Sequence, residues 1–171
     1  MQSEIQKLRE QIEESKVAMM TTRRSDGHLV SRAMANQKAA PGADLWFVTS
    51  AETHKLEELE SDPHVNLAYY KEGSREWISI SGLAKISRDR ATIEQLYAKD
   101  WRMWFGSEGD ERHGTAADPR IVLIGVDIHS AVFLEVDKPK PVVLFELVKG
   151  MVTGEPVEMG EMHHVEPKGR R

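Results

Sequence analysis

Arg32, Thr53 and Lys55 are the side chains of this sequence best suited by type and spacing to hold an anion. Arg32 lies in "LVSRAMANQ", where strand alternation puts it on one face with Val30, Met34 and Asn36. A guanidinium among apolar neighbours can grip a phosphate through two parallel N–H bonds. An arginine on the solvent side of an edge strand fits the same pattern, since arginine usually stays exposed. Thr53 and Lys55 close "WFVTSAETHK", which reads as a strand, a short turn and the opening of a helix. A cation in the first turn of a helix is unfavourable by roughly 0.3–1 kcal/mol, because the unpaired N–H groups there carry partial positive charge. Glu57, Glu58 and Glu60, which would suit that end, come later. Hydroxyl, ammonium and helix N-terminus together make an anion site; a helix cap beside a solvated lysine is the other reading of the same residues.

Further chemistry is sparse. Trp101 and Trp104 in "DWRMWFG" stand at helical spacing, which fits packing on a core or a second subunit as well as stacking on a ring. The seven histidines are scattered without HExxH or comparable spacing, so no metal site is expected. No GxSxG, GxGxxG or P-loop is present, leaving acyl transfer, Rossmann-type dinucleotide binding and phosphoryl transfer unsupported. With no cysteine, thiolate chemistry and disulfides are excluded, and any redox step must use a bound cofactor. No catalytic residue is assigned.

The elements that must position these residues are mostly strands. Ser3 and Gln6 form a capping-box pattern ahead of Ile5, Leu8 and Ile12, predicting a short amphipathic helix. "VAMMTTRR" and "LVSRAMANQ" flank an Asp26–Gly27 turn and read as a hairpin. "LWFVTS" is a third strand, and the helix after it stops at Asp62 and Pro63. "HVNLAYY" and "EWISISGLAKIS" follow as strands, then a helix capped by Asp89, and last "DPRIVLIGVDIHSAVFLEV". In "EWISISGLAKIS", Ile78, Ile80, Gly82, Ala84 and Ile86 share a core face. The other face carries Trp77, Ser79, Ser81, Leu83 and Lys85, a mixture suited to a subunit interface or a planar ligand. Beyond Val136 the pattern weakens: Val142 to Val148 reads as a final strand or edge segment, and the rest, including His163 and His164, as a mobile tail. Short strands in hairpin succession with few helices predict an α+β, mainly β, closed antiparallel barrel.

The chain of 171 residues is 40% hydrophobic and 30% charged, a globular composition with room for one domain. With a net charge of −5 a nucleic-acid footprint is not expected, although local basic spots can still hold a phosphate group, and the charged start and lack of long apolar runs predict a cytoplasmic protein with no membrane partner.

In this order, "SRAMANQ", "WFVTSAETHK", "LESDPHVNLAYY", "WISISGLAKISRDRATIEQLY" and "MWFGSEG" resemble the pyridoxamine 5'-phosphate oxidase-like FMN-binding split barrels, and most nearly their bacterial general stress protein branch. The resemblance covers residues 5 to 135. It implies a homodimeric antiparallel split β-barrel of about six strands with peripheral helices, in which residues 1–148 form the FMN-binding domain and 149–171 a C-terminal tail.

By position, the resemblance makes Arg32, Thr53 and Lys55 ligands of the FMN phosphate and lays Met34, Val48 and Thr49 along the ribityl chain and ring. Lys55 would then face a dianion, which reverses the sign of its electrostatics at the helix start. Trp77 and Trp104 would approach the flavin at the dimer interface, and Gln37 stands where the oxidase has a lysine. FAD is the alternative flavin. The oxidase's Arg-x-His segment has no counterpart, so pyridoxamine phosphate oxidation is not expected, and "AVFLEVD" replaces the branch's Tyr-Trp-Asp-like ending. The implied activity is flavin-dependent hydride transfer with an unidentified small-molecule substrate or electron donor. The alternatives are a flavin-sequestering stress protein without turnover, or a barrel carrying haem or a deazaflavin.

Overall fold

The computed structural model describes residues 3–106, 109, 112–136, 139–157 and 160–167. Helix α1 (Glu4–Ser15) is capped by Ser3, whose hydroxyl accepts from the Gln6 amide, and it buries Leu8 and Ile12. Strands β1 (Val17–Arg23) and β2 (Leu29–Ala35) form the expected hairpin, with Met20 opposite Arg32 and Thr22 opposite Val30. Strand β3 (Leu45–Ser50) leads into α2 (His54–Ser61), and β4 (His64–Tyr70) pairs with β5 (Trp77–Ser87). A helical module follows, made of α3 (Arg90–Leu96), a 3₁₀ turn (Lys99–Trp101) and α4 (Arg102–Phe105). The chain continues through β6 (Ile121–Glu135), α5 (Lys140–Thr153) and β7 (Glu161–Val165).

The strands run antiparallel in the order β2-β1-β4-β5-β6-β3, with β7 paired to β6. This is a curled, mainly β sheet with helices around it. Its interior is filled by alternate side chains, among them Met20, Phe47, Leu67, Ile80, Ile124 and Phe133. Alternation in β5 runs as expected: Ile78, Ile80, Gly82 and Ala84 point inward, and Trp77, Ser79, Ser81, Leu83 and Lys85 outward. Gly82 sits at a β-bulge where an added Cβ would lie 2.8 Å from the Asp127 carbonyl oxygen. A second cluster, including Trp46, Ile93, Leu96, Trp101, Phe105 and Leu123, packs the helical module onto the other side of β3 and β6.

The C-terminal expectation needs correction. Val142 to Val148 are helical, part of α5, and not a strand. Pro139 at the N-cap and the left-handed Gly154 past the last turn (φ 72°) set the bounds of that helix, and an apolar run without period is compatible with either structure. The assignment of 149–171 to a mobile tail also fails for Glu161–Val165, which pair in register with Ala131–Glu135. His163 is buried there, stacked on Phe133 at 4.8 Å.

Candidate functional site

Strands β2 and β3 are the two ends of the sheet path, and the seam between them is where the sequence-selected residues gather. At one end of the seam the Gln37 amide donates to the Trp46 carbonyl at 2.8 Å. Farther along, β2 contributes Arg32 and Met34, β3 contributes Thr49, and the turn into α2 contributes Thr53 and Lys55. Helix α2 is held on the barrel by Leu56 and Leu59, both buried, and this packing fixes the direction in which its first turn points.

Lys55 is partly buried, and its Nζ lies 3.4 Å from the Met34 Sδ. Among the described residues no carboxylate forms an ion pair with it. Burial first, and the Arg32 charge second, hold its ammonium below the ordinary lysine value, while Glu58 acts in the opposite direction. Thr53 occupies the N-cap position, yet its hydroxyl caps no α2 amide: it donates to the Ser50 carbonyl at 3.1 Å and lies 3.4 Å from the Thr49 hydroxyl. The helix start therefore presents uncapped N–H groups beside a lysine. Glu57, read from sequence as lying beyond the helix start, also falls in this first turn but is largely exposed; the uncapped N–H groups and the Lys55 ammonium are each favourable to an anion.

Arg32 is braced. Its Nη2 donates to Glu58 Oε1 at 2.8 Å, its Nη1 donates to the Thr22 hydroxyl at 2.7 Å, and that hydroxyl donates to Glu58 Oε2 at 2.6 Å. The Glu58 carboxyl, with a side chain 11% exposed, is held below its ordinary value, chiefly by the Arg32 hydrogen bond. The Nε of Arg32 has no partner among the described residues. Two cations against one carboxylate leave the seam with a surplus of one positive charge. Thr22 and Glu58 were missed from the sequence. Thr22 shares the inward face of β1 with Ala18 and Met20, and Glu58 follows Lys55 at i+3 on the helix, which were the available signals.

The remaining selected residues fall elsewhere. Val48 faces the helical module, opposite Thr49 on β3. Gln37 is fixed at both ends of its amide: Trp101 Nε1 donates to its Oε1 at 2.9 Å, and its Nε2 donates to the Ala35 carbonyl at 3.0 Å. Trp101 is 1% exposed and meets Tyr97 edge-on at 5.6 Å, whereas Trp104 is 77% exposed. The two tryptophans thus divide between core and surface. Trp77 stands on the outer face of β5, between Tyr70 and Leu134, three strands from β2. That face carries the cross-strand row Ser31, Thr21, Asn66, Ser81, Ser130 beside the row Ala33, Met19, Ala68, Ser79, Val132. An open groove of about 480 Å³ crosses it, lined in part by Thr21, Arg23, His64, Ser81, Leu83 and His129.

Two further polar clusters serve the fold. Glu135, Glu161 and His163 bring donor atoms within 4.8 Å of one another, but Lys7 holds Glu135 at 2.6 Å, so the group ties α1 to β6 and β7. Asp118, fully buried, gathers the Gly114 amide at 2.8 Å and the Arg120 amide at 2.9 Å, together with the Arg120 guanidinium. It shapes the loop between α4 and β6.

A curled antiparallel barrel with Arg32 and Lys55 gathered at the seam between its two end strands is a split barrel. The chain belongs to the family described as pyridoxamine 5'-phosphate oxidase like, whose model matches residues 3–158. It is 34% identical over 154 residues to the protein bli-3 of Neurospora crassa, covering 88% of this chain and 74% of that one. It is 26% identical over 132 residues to general stress protein 26 of Bacillus subtilis, covering 70% and 89% respectively. Its fold matches the crystal structure of the general stress FMN/FAD binding protein of Xanthomonas citri with a TM-score of 0.63, at 23% identity over 78% of this chain and 89% of that one. These likenesses support the general stress branch of the superfamily.

Proposed function

We propose that the protein is an FMN-binding flavoprotein of the general stress type that works as a homodimer and transfers hydride at flavin N5. The observation that carries the reading is Lys55: an ammonium partly buried beside Arg32, with no carboxylate bonded to it among the described residues, at a helix start its N-cap leaves uncapped. A phosphate dianion would satisfy all three features. In this reading Arg32, Lys55 and Thr53 hold the phosphate, while Met34 and Thr49 line the seam under the ribityl chain and ring; Val48, whose side chain faces the helical module, would meet the flavin only through its backbone. Gln37 keeps an uncharged amide in place through Trp101, near the ring rather than free to reach it. FMN is preferred over FAD because its phosphomonoester carries the greater charge per phosphate toward a seam with one positive charge in surplus.

When bound, flavin supplies the two-electron redox chemistry, and the protein supplies orientation and a site shielded from water. The hydroxyl and small-residue rows of the outer face, with Met19, Tyr70 and Leu83 exposed on it, support that face as the subunit interface, where Trp77 and the exposed Trp104 of the two chains would meet the flavin. A second reading, flavin binding without turnover, is supported by one fact: Glu58, the carboxylate of the seam cluster, is committed to Arg32 and Thr22 and is not free to move a proton.

Anaerobic mixing of the FMN-loaded protein with NADH or NADPH separates the two readings. Loss of the oxidised-flavin absorbance within seconds to minutes, with flavin retained, supports the oxidoreductase. No reduction by either donor, or by a screen of other hydride donors, contradicts it. Sedimentation at micromolar concentration should give the mass of two chains; a monomer carrying flavin would overturn the interface assignment.

A further inference from the structure

We infer that Glu58 and Thr22 form a brace that positions the Arg32 guanidinium for an anion, making them determinants of phosphate affinity although neither touches the phosphate. The inference rests on the phosphate-site reading of Arg32 and Lys55. Its ground is the closed three-membered ring of hydrogen bonds: Arg32 Nη2 to Glu58 Oε1 at 2.8 Å, Arg32 Nη1 to Thr22 at 2.7 Å, and Thr22 to Glu58 Oε2 at 2.6 Å. An arginine side chain otherwise has four rotatable bonds and high rotamer entropy, which a ligand would have to freeze on binding. Here the guanidinium is already tied at both Nη atoms, and Nε carries no bond within the described chain.

The ring is built into the core. Thr22 is 1% exposed on the inner face of β1, and Glu58 is carried by α2 beside Leu59, which packs on the barrel interior. The brace therefore also couples β1, β2 and α2, the elements that bring Arg32 and Lys55 to the same seam. Thr22 is used in both directions, accepting from Arg32 and donating to Glu58, so its hydroxyl orients the carboxylate as well as the guanidinium.

Glu58 has a second effect through charge. Lys55 faces Arg32 across the seam and Glu58 on its own helix, while Arg24 acts on Glu58 from the β1–β2 turn. Removing the carboxylate charge leaves Arg32 and Lys55 facing each other uncompensated, so Lys55 loses its proton at lower pH. A residue that only filled space beneath α2 would not have this effect.

The test uses Glu58→Gln, Thr22→Val and Thr22→Ser, each titrated with FMN and with riboflavin by flavin fluorescence across a pH series, with inorganic phosphate as a competitor. The expected result is an FMN Kd raised roughly tenfold in Glu58→Gln and in Thr22→Val, restored to within about twofold in Thr22→Ser, with riboflavin affinity changed by less than about twofold throughout. In Glu58→Gln the alkaline fall of FMN affinity should also move to lower pH. Unchanged or tighter FMN binding by both Glu58→Gln and Thr22→Val, in a wild type that prefers FMN to riboflavin, overturns the brace and leaves the phosphate site standing. A wild type with no such preference, and no competition by phosphate, overturns the site and the brace together. Retained riboflavin binding reports that each variant is folded, and the Thr22 pair keeps the test decisive if Glu58→Gln does not fold.

Discussion

Replacing Lys55 by methionine should weaken FMN while leaving the ligand-free protein as stable as before or more so. The lysine is partly buried, its Nζ is against the Met34 sulfur, and the Arg32 charge acts on it repulsively. Unit charges about 4 Å apart interact by about 4 kcal/mol at an effective dielectric near 20, and loss of hydration offsets part of that. A net of about 1.5–3 kcal/mol is typical of a hydrogen bond to a charged group, which corresponds to a rise of roughly 10- to 150-fold in the FMN Kd. Riboflavin, lacking the phosphate, should bind the variant as it binds the wild type. Without ligand, methionine removes a desolvated cation and its repulsion with Arg32, so the melting temperature should stay level or rise by a few degrees, about 2–4 °C per kcal/mol at this size. The pH dependence has a definite sign. The folded Lys55 sits below the 10.5 of an ordinary lysine, so between those two values the unfolded chain binds more protons and stability rises with pH. Over the same window the lysine's share of FMN affinity is lost as the ammonium deprotonates. Fluorescence titration with both flavins and a thermal melt would measure all three effects. Equal losses for FMN and riboflavin, or a variant distinctly less stable without ligand, would refute the reasoning.

Arg32→Ala should reduce FMN affinity to a similar degree but, unlike Lys55→Met, should destabilise the ligand-free protein by about 1.5–3 kcal/mol in urea unfolding, because the part-buried Glu58 carboxylate loses its charged hydrogen-bond donor. Asp118→Ala should cost about 1.5–3 kcal/mol at neutral pH by removing the carboxylate to which the Gly114 amide and the Arg120 guanidinium donate, although Arg120 keeps its bond to the Phe105 carbonyl. Burial pushes the Asp118 carboxyl up, but the Arg120 side chain and the Gly114 and Arg120 amides outweigh it and hold it at about 2, below the unfolded 3.8. Its stabilisation is therefore complete above the unfolded value and fades as pH falls toward about 2, so the gap between wild type and variant should narrow over that interval in acid titration. Trp104→Ala removes a side chain 77% exposed in the single chain, so monomer stability should change by less than about 0.5 kcal/mol while flavin fluorescence or dimerisation shifts.

Much of the barrel could be read from sequence because β1, β4 and β5 alternate strictly, whereas β3 and β6 are buried on both faces. "WISISGLAKIS" separates an Ile face from a Trp-Ser face residue by residue, and the faces stand as read. Arg32 and Lys55 could be singled out because each has an unusual type for its element, a cation among apolar residues and a lysine at a helix start, whereas Met34 and Thr49 carry no such signal and enter only by their position in the family resemblance. Glu58 escaped because a glutamate on a short helix has the pattern of solvent-facing charge, and its burial comes from the docking of α2 on a strand distant in sequence. The end of the chain escaped for a different reason. Val142 to Val148 is apolar at every position but one, Glu146, so neither a period of two nor of 3.6 stands out. Met162, His163 and His164 become a strand through pairing with β6, which local sequence does not encode.

The most direct test of the central assignment is the visible absorption spectrum of the wild-type protein after incubation with FMN and gel filtration. The account predicts a two-band oxidised-flavin spectrum that elutes with the protein at close to one FMN per chain. Protein that emerges colourless at concentrations where FMN is in large excess would contradict a flavin phosphate site at the seam of β2, β3 and α2.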